Sequence, residues 1–289
     1  MRLGFGKLVG FSLIISLLTG NAMASAKEES HSFSNVSSVN IELLTGSLEI
    51  LTGDQDRVVV RLRNELPRPE VLITKIEVVN GTLAIKENTG DQKPNGKTFW
   101  TLLVPSDAKF ESIVCHSALG EIDCIGLKAD TIDCKAASGY IAVDSLQAKS
   151  LTLSTTTAPL TIRHSIALES AEMVSADGDL FIELLHLPAN ELKGASTTGK
   201  LQLEVPDFGE NFQLSIKKNA RQGKVISPFE CTNKETRRLN ENDLYLTDVC
   251  TVTRGKGGPE IDLLTGSGLI QITTDDKRHA GDRTPPESK

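Results

Sequence analysis

A small residue followed by apolar side chains at its second and fourth followers recurs through the middle of this chain. The instances are Gly120-Glu-Ile-Asp-Cys124, Gly139-Tyr-Ile-Ala-Val143, Ala158-Pro-Leu-Thr-Ile162, Gly178-Asp-Leu-Phe-Ile182 and Gly199-Lys-Leu-Gln-Leu203, spaced 19, 19, 20 and 21 residues apart. A fixed period of this length marks a repeat architecture, and it narrows the fold more than any other feature. Alternation is a period-two signal, so Ile122 and Cys124, Ile141 and Val143, Leu160 and Ile162, Leu180 and Ile182, and Leu201 and Leu203 should share one face. A second strand precedes each turn, where Ile113 and Cys115, Ile132 and Cys134, and Leu151 and Leu153 hold matching positions. Each unit therefore reads strand, linker, strand, turn.

One such unit cannot bury its own apolar face. Stacking successive units at about 4.8 Å sets like residues over like and closes a continuous core. The expected fold class is all-β, a single-stranded, β-helix-like solenoid of roughly 20-residue coils. An antiparallel sandwich with evenly spaced strands is the alternative that the pattern leaves open. Glycine at the turns supplies either positive φ or close backbone approach.

The ends echo the middle. Ile41-Glu-Leu-Leu-Thr-Gly-Ser47 matches Ile261-Asp-Leu-Leu-Thr-Gly-Ser267, and Gly46-Ser-Leu-Glu-Ile50, Gly81-Thr-Leu-Ala-Ile85 and Gly268-Leu-Ile-Gln-Ile272 repeat the turn-plus-alternation pattern. Coils are expected over 36–274, with a loop at 88–97, a charged, Cys-bearing excursion at 219–256 and a disordered polar tail at 275–289. Residues 1–24 read as a secretory signal peptide: Arg2 and Lys7, the apolar run Leu8 to Leu18, then small residues through Ala24 and Ala26. That run is too short for a transmembrane helix, which needs about 20 residues, and no later run is long enough to span. The expected location is exported, either periplasmic or on the cell surface.

Removing Arg2 and Lys7 leaves 29 basic residues against 38 acidic, a formal charge of −9. That sign disfavours nucleic acid and simple docking on anionic lipid. Aromatic residues are 4% of the chain, so burial must come from Val, Ile and Leu, and platforms for sugar stacking are scarce.

Reactive constellations are missing from the sequence. His31, His116, His164, His186 and His279 are scattered, without H-E-x-x-H or C-x-x-C spacing, so no metal ligand set and no cofactor are expected. Gly266-Ser267-Gly268 is a turn rather than a nucleophile elbow, and Asp177-Gly178-Asp179 lacks the spacing of a calcium loop. The positions that flank the repeat's apolar residues read Glu121, Tyr140, Pro159, Asp179, Lys200 and Asp123, Ala142, Thr161, Phe181, Gln202, which form no acidic ladder. Tyr140 and Phe181 should point outward. No catalytic residue is assigned.

Five cysteines in an exported chain suggest disulfides, and an odd count leaves a thiol over. Cys231 and Cys250 flank the excursion and are the first candidates; a bridge closing that loop would contribute about 3 kcal/mol. Cys115 and Cys134 are the second pair. They hold the same repeat position one coil apart, with Cα atoms expected near 4.8 Å, inside the bridging range of about 4.4–6.8 Å. The alternative is that Cys115, Cys124 and Cys134 are small buried hydrophobes.

Leu103-Val104-Pro105 before the first regular coil, the Gly-x-Ile-x-Val steps, Val205-Pro206 and the closing segment from Gly257 to Ile272 resemble a family of bacterial envelope proteins with a β-strand-repeat domain, labelled "putative adhesin". The resemblance covers most of the expected mature chain, except for the longer 219–256 segment. It implies a non-enzymatic envelope protein, an adhesin or scaffold binding protein or envelope polymer, and it supplies no catalytic residues. Two alternatives stay open: a polysaccharide-active β-helix enzyme, lyase or glycosidase, which would need a groove with convergent charged side chains, and an accessory to envelope stress signalling. Open solenoid ends also allow self-association.

Overall fold

The computed structural model describes residues 27–66, 72–88, 96–240, 243 and 245–274. The expected signal peptide, the expected polar tail and residues 89–95 of the expected loop lie outside the described residues. The described chain is an all-β solenoid of 22 strands, and it contains no helix long and apolar enough to cross a membrane.

Each coil gives one strand to sheet A and, after a tight turn, one to sheet B. In the regular middle the sheet A strands include Phe110–Ser117, Lys128–Ala136, Gln147–Thr155 and Glu191–Ser196. Their sheet B counterparts include Ile122–Ile125, Ile141–Asp144, Leu180–His186 and Leu201–Glu204. Leu160–Ser175 serves both sheets, bending where the register shifts between Ile162 and Ile166 and His164 adopts φ 47°.

Parallel, in-register stacking produces the expected columns. On sheet A, Leu83, Val39, Ile113, Ile132, Leu151, Ala171, Leu192, Ile261 and Leu214 lie one over the next, and all are buried. On sheet B the facing column is Trp100, Leu48, Ile122, Ile141, Leu160, Leu180, Leu201 and Ile270. Each large side chain buried this way contributes about 1.5–3 kcal/mol, and the columns form one core along the molecule.

A second column lines the turn and is hydroxylic. Ser117, Ser175, Ser196 and Thr265 are buried, and their hydroxyls accept the N–H of Gly120, Gly178, Gly199 and Gly268 at 2.8–3.0 Å. Ser196 also donates to the Gly178 carbonyl of the adjacent coil at 3.0 Å. The turn glycines are selected by close approach. A Cβ at Gly139 or Gly199 would lie 2.0 or 2.2 Å from the carbonyl oxygen of Gly120 or Gly178, and neither glycine has positive φ.

Sequence order fails at both ends of the stack. The first coil in the chain, Ser38–Leu43 with Ser47–Gly53, is inserted between the coil Thr82–Asn88 with Thr98–Pro105 and the coil beginning at Phe110. The last, Glu260–Thr265 with Leu269–Thr273, is likewise inserted between the coil Glu191–Ser196 with Leu201–Glu204 and the coil Phe212–Asn219 with Lys224–Ile226. The two matching Ile-x-Leu-Leu-Thr-Gly-Ser segments therefore hold equivalent penultimate positions. Spatial order departs from chain order at these two coils. The inserted coils are sandwiched, and antiparallel strands cover the outside: Lys27–Phe33 and Val58–Asn64 on sheet B, Ile73–Val79 on sheet A, and at the far end Thr247–Arg254 and Asn233–Arg237 on sheet A. Much of the 219–256 excursion thus extends the sheets.

Candidate functional site

The inserted first coil gathers charged and aromatic side chains on one surface. On the outer face of sheet B, Arg61, Thr101, Glu49 and Asp123 lie in one row across four strands. The neighbouring row runs from Glu28 through Arg63 and Phe99 to Ser47, with Glu121 beyond. Between them is a groove of about 380 Å³, with Phe99 and Thr101 on its floor, Arg61 and Arg63 beside Glu28 on one side, and Glu49, Glu121 and Asp123 on the other. Period-two alternation directs these side chains outward, because the intervening Leu48, Trp100 and Ile122 face the core.

Several contacts fix the walls. Arg63 lies 4.4 Å over the Phe99 ring and pairs with Glu65 at 3.0 Å. Arg61 has no ion pair among the described residues. Ser47 donates to Glu121 at 3.0 Å, and the Tyr140 hydroxyl donates to Asp123 at 2.9 Å. Desolvation raises the Asp123 carboxyl above its ordinary range, aided by the Glu121 charge and opposed by the Tyr140 hydrogen bond. Burial first, then the Asp123 carboxylate, pushes the Tyr140 phenol up to about 12.

The acidic residues of the groove escape a sequence alignment of regular coils. Glu49 belongs to the inserted coil and meets Asp123 only through that insertion. The regular coils carry no acidic ladder, but the inserted coil sets Glu49 in register with Asp123 at the N-terminal end of the stack. The echo at Ile41–Ser47 was the available signal.

The remaining sequence candidates fall elsewhere. Cys231 and Cys250 are disulfide-bonded, with Cα atoms 5.4 Å apart. Cys115 and Cys134 are in register, yet they are thiols, as is Cys124. In-register parallel neighbours keep their side chains near the strand spacing of about 4.8 Å, beyond the 3.5–4.5 Å that a disulfide requires between Cβ atoms. The Cα criterion alone misses this. Asp177 and Asp179 bond the next coil, Asp179 accepting the Lys200 N–H at 2.7 Å. His164 lies 3.3 Å from Asp144 and 3.7 Å from Glu183, at the bend in Leu160–Ser175. Tyr140 does face outward; Phe181 lies under the Arg163 guanidinium at 5.8 Å. Among the described residues no group of three or more His, Cys, Asp or Glu is arranged to hold a metal ion.

Solved structures similar to the chain include a "putative adhesin" from Bacteroides fragilis NCTC 9343, at 9% identity and TM-score 0.43, covering 86% of this chain and 98% of that one. A "putative cell adhesion protein" from Clostridium sporogenes ATCC 15579 is 12% identical with TM-score 0.41, covering 86% and 100%. A "putative lipid binding protein" from Parabacteroides distasonis ATCC 8503 is 14% identical with TM-score 0.41, covering 86% and 97%. Likeness this distant carries no inference about ligand or activity. No protein of curated function matches the sequence. The family model Toastrack DUF4097 matches residues 25–273, from before the first described strand to the last strand of the inserted C-terminal coil. The chain belongs to the Toastrack DUF4097 family.

Proposed function

We propose that the protein is a non-enzymatic binding protein of the bacterial envelope, exported, whose rigid sheet B face holds an envelope polymer in the N-terminal groove. The observation that carries this reading is the opposition of Arg61 and Arg63 to Glu49, Glu121 and Asp123 across an aromatic floor. Such a surface complements a chain bearing both carboxylate and amino groups, as cross-linked peptide stems on a cell-wall glycan do. The test is co-sedimentation with insoluble cell-wall material, comparing the unaltered protein with Arg61→Ala and Glu49→Gln. Retention should fall in both variants and should fall with added salt; equal retention of all three refutes the reading. Protease access on intact and on permeabilised cells separates a surface adhesin from a periplasmic scaffold.

A second reading, cleavage of a polysaccharide, is favoured by the raised Asp123 carboxyl beside Glu49. Paired carboxyl groups flanking a groove are the arrangement that glycoside cleavage uses. Release of reducing ends from cell-wall glycan, lost in Asp123→Asn, would establish it over the binding role.

A further inference from the structure

At the C-terminal end of the stack, sheet A outruns sheet B. The last coil closes with the three-residue strand Lys224–Ile226 on sheet B, whereas sheet A continues through Thr247–Arg254 and Asn233–Arg237. The inward face of this overhang is graded. Ile216 of the last coil is in register with Cys250, and Cys250 with Lys234 at the exposed edge. No described strand of sheet B stands opposite these two added strands. The space beneath is closed by the segment after residue 226, which the Cys231–Cys250 disulfide pins to the overhang.

That closure leaves a pocket of about 230 Å³ walled by Ile216, Val225, Phe229, Val249 and the disulfide. Arg254 lies 5.2 Å over the Phe229 ring and fixes that wall. The polar groups gather with Lys218, Asp248 and Lys234. Lys218 and Asp248 satisfy each other at 2.8 Å, and Thr236 donates to the same carboxylate at 2.7 Å. Lys234 has no ion pair among the described residues, so the pocket carries one unmatched positive charge. Its volume is below the range of about 300–1,000 Å³ typical of drug-sized sites, large enough for one short chain and too small for a two-chain lipid.

We infer that this pocket binds a medium-chain fatty-acid carboxylate, with the alkyl chain against the apolar wall and disulfide and the carboxylate on the Lys234 ammonium. Apolar burial supplies affinity, the polarizable sulfurs add contact, and the ammonium selects a single negative charge. The site is independent of the N-terminal groove and lies at the opposite end of the stack.

Calorimetric titration of the purified, disulfide-bonded chain with octanoate, decanoate and dodecanoate below their micellar concentrations tests the inference. Affinity should rise about fourfold per added methylene until the pocket is full. Methyl decanoate, uncharged at the same chain length, and Lys234→Glu with decanoate should each bind about tenfold more weakly or worse. Lys256→Glu makes the same charge reversal at a residue that is not part of the pocket and should bind decanoate normally. The inference is overturned by affinity that ignores chain length, by equal losses in Lys234→Glu and Lys256→Glu, or by binding confined to phosphatidylglycerol vesicles, which would make this end a membrane contact.

Discussion

Glu87 offers the sharpest test of how the stack begins. Its buried carboxylate meets five donors: Oε2 accepts the backbone N–H of Leu44, Thr45 and Gly46 at 2.8, 3.0 and 3.3 Å, while Oε1 accepts the Trp100 indole N–H at 2.7 Å and the Thr98 hydroxyl. Three successive N–H groups converging on one oxygen form an anion nest, which caps the turn of the inserted coil. Glu87→Gln preserves shape but must aim its NH₂ at one of these donor sets. The cheaper choice leaves the amide oxygen in the nest, lets the Thr98 hydroxyl rotate, and orphans the Trp100 N–H. An unsatisfied buried donor costs about 1–3 kcal/mol, and the three nest bonds also lose their charge assistance, so the expected loss is about 2–3 kcal/mol. Glu87→Ala orphans every donor and should cost about 4–5 kcal/mol. Trp100 is the only tryptophan in the chain and is 1% exposed, so its emission reports local loosening and unfolding in one urea titration. The Gln variant should lower the midpoint with an unchanged denaturant slope. Stability within about 0.5 kcal/mol of the unaltered protein would refute the argument that the nest requires an anion.

Other consequences can be checked in the same way. Gly199→Ala places a Cβ 2.2 Å from the Gly178 carbonyl oxygen and should destabilise by about 2–3 kcal/mol in thermal melts, even though glycine-to-alanine changes usually stiffen the unfolded chain favourably. Ser196→Ala removes an acceptor for Gly199 N–H and should cost about 1–3 kcal/mol, whereas Ser196→Thr, which matches Thr265 in the same column, should cost far less; equal losses would show that the hydroxyl is irrelevant. Lys218 first, and Thr236 second, hold the Asp248 carboxyl below its ordinary value of 3.8. Because the folded value is depressed, this contribution is fully present above that pH and lost as pH falls through the folded value, so Asp248→Asn should be less stable at neutral pH and flatten the acid limb of the stability curve. Titration of the denatured, unreduced chain should find three thiols, from Cys115, Cys124 and Cys134; one would indicate a second bridge and five no bridge at all. In the native state all three thiols are buried in the core, so their modification should await unfolding.

The regular coils were legible because every inward position repeats the same physical demand. Ile113, Ile132 and Leu151 share a column, and so do Ile122, Ile141 and Leu160; their sequence spacing already encodes that contact. The hydroxyl column was legible too, as Ser or Thr three residues before Gly in Ser117–Gly120, Ser175–Gly178, Ser196–Gly199 and Thr265–Gly268, but attention to apolar periodicity passes over it. The permuted ends were not legible. An inserted coil obeys the same alternation as a sequential one, so spacing cannot state its address, and Ser47 meets Glu121 across 74 residues of sequence.

Both candidate sites occur where the order of coils departs from the order of the chain, and the repeat itself explains why. Within the regular stack, inward positions are committed to the core, turn positions to hydroxyl and glycine, and outward positions meet only equivalents one coil away. New combinations arise where a terminal coil is inserted and the displaced segment must cover the end. At the N-terminal end that covering brings Arg61 and Arg63 opposite Glu49; at the C-terminal end it makes the overhang above Val225 and Phe229. The same strands limit self-pairing. Lys27–Phe33 and Asn233–Arg237 place charged side chains along the outer edges, a common guard against edge-to-edge association. Lys224–Ile226 is the contrasting edge, short and bearing an Ile226 side chain that is 57% exposed. If copies stack end to end, this strand is the place for contact, and Ile226→Lys should abolish any concentration-dependent increase in sedimentation coefficient while leaving the melting transition in place. A dimer that survives Ile226→Lys would have to be held by a face of the solenoid rather than by its end.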